Sequence, residues 1–226
     1  MLESIRHEVT NLLGADTSGH SVDHVERVYT LSMKLAEQEG ADKEVVGLTA
    51  LLHDVDDYKL FGTENAESLA NATRLLRQHK VSTELSRRVL MNISTMGYNK
   101  YLEDIRPTTL EGMVVSDADM CDAIGSQGLI RVFEYNASKG RPFFNPALAP
   151  IRAESSADAY RASANEHAAQ HFFDKLLKIS SILMTESGRI EGAQRAEVME
   201  LFLKELFREY GSEQWQDFMA AYATMK

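Results

Sequence analysis

The chain reads as all-α, and three observations carry that reading. Apolar residues recur at helical spacing through most of its length. Glycines and capping polar residues punctuate those segments, and no alternating pattern is long enough to build a sheet. With 226 residues, 44% of them hydrophobic and 26% charged, the chain can bury a sizeable core.

From Ser21 to Gln38, the positions His24, Val28, Leu31 and Leu35 fall at i, i+4, i+7 and i+11 and share one face. Gly40 ends that helix. Asp42 caps the next, which runs through the uncharged stretch Val45 to Leu52 and reaches His53-Asp54. Further helices are expected from Glu64 to Gln78 and from Ser82 to Thr95, where Leu85, Val89 and Ile93 share a face. Gly97 to Thr109, with Pro107, reads as a loop. Leu110 through Val132 carries the acidic cluster Asp117, Asp119 and Asp122, followed by Ile124, Leu129 and Ile130. Asn136 to Ala164 holds Gly140, Pro142, Pro146 and Pro150, and reads as a surface loop or insertion that could serve as a lid. Helices return from Asn165 to Met184 and from Ile190 to Tyr210. The expected organisation is one helical domain over 1–226, with its core at about 20–135, an insertion at about 136–164 and C-terminal helices at about 165–210.

A formal net charge of −10 repels polyanions, so long nucleic acid is not an expected partner. A local basic pocket for a small phosphate ester is compatible with that charge. The single cysteine, Cys121, excludes an internal disulfide framework and suits a reducing cytoplasm. Beside Asp119 but pointing elsewhere on its helix, it reads as a small core residue. The start, Met1 to Glu8, has no basic segment followed by an apolar one, so no signal peptide is expected. No apolar run approaches the roughly 18 residues of a membrane span. Homodimerisation is left open.

Candidate chemistry centres on His53-Asp54. Asp is rarely buried unpaired, and here it follows eight residues without a charge. His24 points inward with Val28 and Leu31; alone it would read as a hydrogen-bonded core histidine. Asp119 adds a third element. Two imidazoles and two carboxylates suit a borderline or hard divalent cation: Mn, Fe, Co, Ni or Mg. Zinc remains an option, although the lack of a thiolate set argues against a structural zinc site.

His24, then His53-Asp54, then Asp119 resembles the HD-domain phosphohydrolase superfamily. The likeness extends through Gly19-His20 to Val28, Leu51 to Asp54, Asp117-Ala118-Asp119, Asp122 to Gly125, and His171 to Leu177. That order resembles a bacterial subgroup of HD hydrolases in which some members are nucleotide pyrophosphohydrolases. The resemblance implies an HD-type helical bundle with an additional C-terminal helical region. It implies His24, His53, Asp54 and Asp119 as ligands of one divalent metal, manganese preferred. It places the closing ligand at Asp119, with Asp117 as a supporting or capping residue. The chain departs at Met120, where the subgroup commonly has Arg, and at Asp174, where Glu is more usual. Some HD proteins hold two metals through extra histidines; here only His79 lies in that interval, in a polar setting that reads as surface.

Metal-assisted hydrolysis needs a base to steer the attacking water. Asp57 lies four residues after His53, so a continuing helix would place it on the same face; an acid at this offset assists hydrolysis in similar HD nucleotidases. Its alternative is a solvated helix end. Lys59, Arg27 and Lys175 are candidates to neutralise substrate phosphate, with surface ion pairs as the alternative. His20 could orient a ligand, touch substrate or cap a helix. His171 could touch the nucleotide or brace the core. The expected activity is hydrolysis of a small phosphorylated substrate, a nucleoside triphosphate cleaved to monophosphate and pyrophosphate. A 5′-nucleotidase-type phosphomonoesterase and a non-catalytic, metal-retaining module are the alternatives.

Overall fold

The computed structural model describes residues 1–14, 22–151 and 168–224, and the described residues contain helices and no strands. They fall into two compact units. The first is Met1–Asp122 with Leu183–Arg189, and the second is Ala123–Ile182 with Ile190–Lys226. No described helix is long and apolar enough to cross a membrane.

The first unit is built around a buried helix. α1 (Leu2–Leu13), α2 (Val22–Glu39) and α3 (Lys43–Leu52) come first. Every residue of α3 from Val45 to Leu52 is buried. A helix that is apolar all round has no solvent face and must be enclosed; α3 accordingly packs against α1, α2, α7 (Thr83–Ser94) and α9 (Leu110–Asp122). Asp42 caps α3, its carboxylate accepting from the Glu44 and Val45 amides at 3.1 and 3.4 Å. Between α3 and α7 lie two short helices, α4 (Tyr58–Phe61) and α5 (Thr63–Ser68), and then α6 (Ala70–Gln78). The core joins Ile5, Val9 and Leu13 to Leu48, Leu51, Leu52, Leu75, Leu76 and Val89.

Several local readings change. α1 and its buried face were not expected. The Gly97–Thr109 connection is not all loop, because α8 (Tyr98–Leu102) forms within it. The segment from Leu110 to Val132 is two helices: α9 ends at Asp122, and α10 (Gly125–Ser138) begins at Gly125, whose φ of +75° a side chain would resist. His79 is not a bare surface residue, since its ring lies 2.6 Å from Glu8 and ties α6 to α1.

In the second unit the Asn165–Met184 segment is interrupted. It forms α11 (Ala169–Asp174), a 3₁₀ turn (Leu176–Lys178) and α12 (Ile179–Ile182). α13 (Glu186–Glu209) starts earlier than its apolar pattern suggested, its residues up to Arg189 belonging to the first unit, and α14 (Glu213–Thr224) follows it. The core here is aromatic. Phe144, Phe173, Phe207 and Trp215 pack with ring centroids 5.1–6.3 Å apart. Of the expected insertion, residues 136–151 are described: 136–138 end α10, and 139–151 are pinned to that core. Phe144 is buried, Trp215 donates to the Leu148 carbonyl at 2.7 Å, and Gln170 bonds both backbone groups of Ile151. The remainder, 152–164, lies outside the described residues.

The α13 N-terminus is capped by acids from distant helices. Asp117 of α9 accepts from the Met184 amide, the Thr185 amide and the Thr185 hydroxyl at 2.7–3.0 Å. Thr185 in turn accepts from the Gly188 amide, and Glu39 of α2 accepts from the Ser187 amide at 2.6 Å. Orphan amides at a helix start attract negative charge, and here carboxylates meet them. A Cβ on Gly188 would lie 2.4 Å from Asp117 Oδ2 and 2.6 Å from Thr185 Oγ1. Gly188→Ala is therefore expected to destabilise the protein by about 1–3 kcal/mol, read as a lower urea midpoint; an unchanged midpoint would show that the junction can shift freely.

Candidate metal centre

Three helices bring the predicted ligands together. α2 carries His24 in its first turn, α3 ends at its C-cap His53 with Asp54 next, and α9 carries Asp119. The ring Nε2 atoms of His24 and His53 lie 3.1 Å apart. Asp54 Oδ2 is 3.4 Å from the first and 3.6 Å from the second, and Asp119 Oδ1 is 3.4 and 3.8 Å away. A cation bound at about 2.1 Å requires neighbouring ligand atoms to sit roughly 3.0–3.4 Å apart, close to what is found.

The hydrogen bonds on the far side of each imidazole decide what faces inward. His53 Nδ1 lies 2.8 Å from the Ala50 carbonyl, and His24 Nδ1 lies 2.7 Å from Asp122 Oδ2. Both partners are acceptors, so each Nδ1 donates, and in the neutral ring each Nε2 presents a lone pair to the centre. Two lone pairs and two carboxylate oxygens at this separation repel unless positive charge lies among them. The His24 pKa reports the same demand: burial pulls it down, yet bonds to Asp119, Asp122 and Asp54 outweigh burial and hold it well above the ordinary value. The donor set thus fits a divalent cation. Among the described residues, His24, His53 and Asp119 form the group of His, Cys, Asp and Glu side chains close enough to hold a metal ion.

Asp122 is the residue that sequence reasoning left without a role. It is buried, and Arg27 donates to it through Nε at 2.7 Å and Nη2 at 3.0 Å. Burial would raise its pKa, but the His24 and Arg27 bonds overcome burial and hold it far below the usual carboxylate range. Arg27, Asp122 and His24 form a chain that fixes the His24 ring and tautomer. The signal lay in the spacing: Asp122 is three residues past Asp119 on one helix and falls near the same face.

The other candidates are placed as follows. The helix does not continue to Asp57. α3 ends at Leu52, the chain turns through 53–56, and Asp57 caps α4, accepting from the Lys59 amide at 2.9 Å. Its own amide donates to the Asp54 carbonyl at 3.1 Å, so it stands one turn from that candidate ligand. Asp56 is not solvated; it is 3% exposed and accepts from the Asn71 and Ala72 amides, capping α6 and bracing the turn. Lys59 is exposed, its ammonium 5.7 Å from the Tyr58 ring. Arg27 is engaged with Asp122 rather than held out as a phosphate clamp. Asp117 serves the α13 cap. Met120 and Cys121 are buried. His20 lies outside the described residues. His171 and Lys175 belong to the second unit, where burial, reinforced by the Lys175 charge, depresses the His171 pKa to about 4.

Two outcomes follow from this geometry. Asp122→Ala is expected to weaken manganese binding about 10–100-fold, measured by calorimetry, whereas Asp117→Ala lowers the urea midpoint and leaves metal affinity near that of the unsubstituted protein. For His171, the unfolded chain takes up a proton below its ordinary pKa of 6.5 while the folded chain stays neutral to about 4. Stability is therefore complete above pH 6.5 and falls across that window at up to about 1.4 kcal/mol per pH unit. His171→Gln should flatten that slope in denaturation curves; an unchanged slope would mean the ring is not held neutral.

The HD domain family model matches residues 22–124, the span containing all four candidate ligands. The YpgQ protein of Bacillus subtilis is 32% identical over 207 residues, covering 90% of this chain and 91% of YpgQ. A crystal structure from Lactobacillus plantarum is 30% identical with a TM-score of 0.76, covering 94% of this chain and 97% of that one. An HD-superfamily hydrolase from Bacillus thuringiensis is 29% identical with a TM-score of 0.73 and the same coverage. YpgQ has also been solved in complex with ADP, at 27% identity and a TM-score of 0.67, covering 92% of this chain and 97% of that one. HD domains bind divalent metals, and the His and Asp side chains gathered here are of that kind. With its ligand order, helix placement and relatives in agreement, the chain belongs to the HD-domain phosphohydrolase superfamily and is a hydrolase.

Proposed function

We propose that the protein hydrolyses a nucleoside triphosphate to the monophosphate and pyrophosphate, using one divalent cation, manganese by preference, in the cytoplasm. The convergence of His24, His53, Asp54 and Asp119 on one point is the observation that carries the hydrolytic reading. The ADP held by YpgQ supports a nucleotide as the substrate class. A cation at this centre supplies Lewis-acid polarisation of a phosphoryl oxygen and acidifies water.

The chain's own groups supply the rest. Asp54 and Asp119 oppose the cation's charge, so the centre becomes less repulsive toward a polyphosphate once loaded. Asp122 and Arg27 hold the His24 ring so that its Nε2 faces the centre. Asp57, one turn beyond Asp54, steers and accepts the proton of the attacking water. Its link to the Lys59 amide holds the carboxylate in place without neutralising it. Lys59 meets the phosphate charge from the exposed side of that turn. His171 and Lys175 lie in the second unit, with His171 neutral above its depressed pKa; their proposed task is contact with the substrate, Lys175 by charge and His171 by hydrogen bonding.

The test is a panel of ribo and deoxy nucleoside mono-, di- and triphosphates with Mn, Mg, Co and Ni, with pyrophosphate and orthophosphate measured separately. Pyrophosphate from triphosphates is expected. Orthophosphate from monophosphates alone would replace the reading with a nucleotidase. Asp57→Asn should keep its metal and lose about a hundredfold or more in kcat; full activity would remove Asp57 from the mechanism.

A further inference from the structure

α3 and α7 run in the same direction. Arg88 of α7 reaches both Asp42, the cap of α3, at 3.0 Å and Glu111 in the first turn of α9 at 3.5 Å. One turn later, Asn92 donates to Thr49 of α3 at 3.5 Å and accepts from Thr109, just before α9, at 2.7 Å. One turn beyond Thr49 is His53, and one turn beyond Asn92 is Met96. The C-terminal ends of α3 and α7 are therefore level. The chain leaves α7 at the end of the bundle where His53 and Asp54 stand.

What it carries there is aromatic. Gly97, at a φ of +100° that disfavours any side chain, turns the backbone into α8. The Tyr98 and Tyr101 rings lie 5.7 Å apart and are tilted by only 34°. The Arg106 guanidinium lies 4.6 Å from the Tyr101 ring centre. Both tyrosines are partly exposed, and α8 has no buried residue, so core packing does not account for them. The surface is also held in place. The Asp104 amide donates to the Tyr101 carbonyl at 3.1 Å and the Ile105 amide to the Lys100 carbonyl at 2.9 Å, with Asp104 left-handed at φ +61°. This is a Schellman-type end that locks the short helix.

We infer that Tyr98 and Tyr101, backed by Arg106, form the stacking surface for the base of the nucleotide whose phosphates meet the metal centre. The inference rests on the nucleotide reading above and deepens it. Tyr98 and Tyr101 follow Met96 by two and five residues, and stacking of a base on an aromatic ring tolerates every base. The substrate class is then nucleoside triphosphates with weak discrimination among bases.

The experiment compares ATP, GTP and CTP with inorganic tripolyphosphate, which has no base, as substrate or competitive inhibitor of the manganese-loaded protein. Tyr98→Ala is expected to raise KM for all three nucleotides about tenfold or more, with kcat little changed. Tripolyphosphate affinity and bound manganese should stay as in the unsubstituted protein, and Tyr98→Phe should retain the original KM. Unchanged nucleotide KM in both Tyr98→Ala and Tyr101→Ala, with turnover intact, would overturn the stacking surface and leave the nucleotide reading standing. A loss shared equally by tripolyphosphate would also overturn it, as a structural effect. Cleavage of tripolyphosphate with no nucleotide turnover would overturn both.

Discussion

Two imidazole nitrogens lie 3.1 Å apart, and one oxygen each of Asp54 and Asp119 lies 3.4–3.8 Å from both. Left to themselves they would part, so the rest of the first unit can be understood as the means of keeping them together. The apolar helix α3 fixes the His53-Asp54 end by burying eight consecutive residues. α2 and α9 pack on it and on each other, bringing His24 and Asp119 to that end. The hydrogen bonds behind each ring then remove the remaining freedom, because an imidazole whose Nδ1 is committed to an acceptor has no choice about what its Nε2 presents.

The acidic residues show how burial and partner, rather than residue type, assign a task. Asp117, Asp119 and Asp122 fall within six consecutive positions of one helix. Asp117 faces the amides at the start of α13 and acts as a cap. Asp119 faces the two histidines. Asp122 faces His24 and a bidentate arginine. The 100° rotation between successive helix positions separates these three environments. Asp56 and Asp57 divide labour in the same way beside the ligands, one buried as a distant cap for α6 and the other at the start of α4. A formal charge of −10 is compatible with a phosphorylated substrate because the acids nearest the chemistry are opposed by His, Arg and backbone N–H groups.

The second unit is stabilised differently. Its core is a set of packed rings, and the proline-containing segment around Phe144 and Leu148 is fastened to it by an indole hydrogen bond and by Gln170. Rings of this size cover large areas with few rotatable bonds, which lets a segment with no regular structure still be ordered.

The all-α class, the boundaries of α2 and α3, and the gathering of His24, His53, Asp54 and Asp119 in one place were legible in the sequence. Helical periodicity follows from where apolar residues must point, and a His-Asp pair closing an uncharged run signals a buried site that needs a cation. What sequence could not determine depends on contacts between residues far apart in the chain. The break at Leu52 defeated the extrapolation to Asp57, because Asn71 and Ala72, some 15 positions away, hold Asp56 in a turn. Arg27 looked like a phosphate clamp until Asp122, 95 positions on, was found beneath it. The early start of α13 is set by Asp117 and Glu39, which add distant acceptors to the local Thr185 cap. Local pattern determines which face of a helix is buried; which partner meets a polar group on that face is decided only when the helices pack, since unpaired burial is what the fold must avoid.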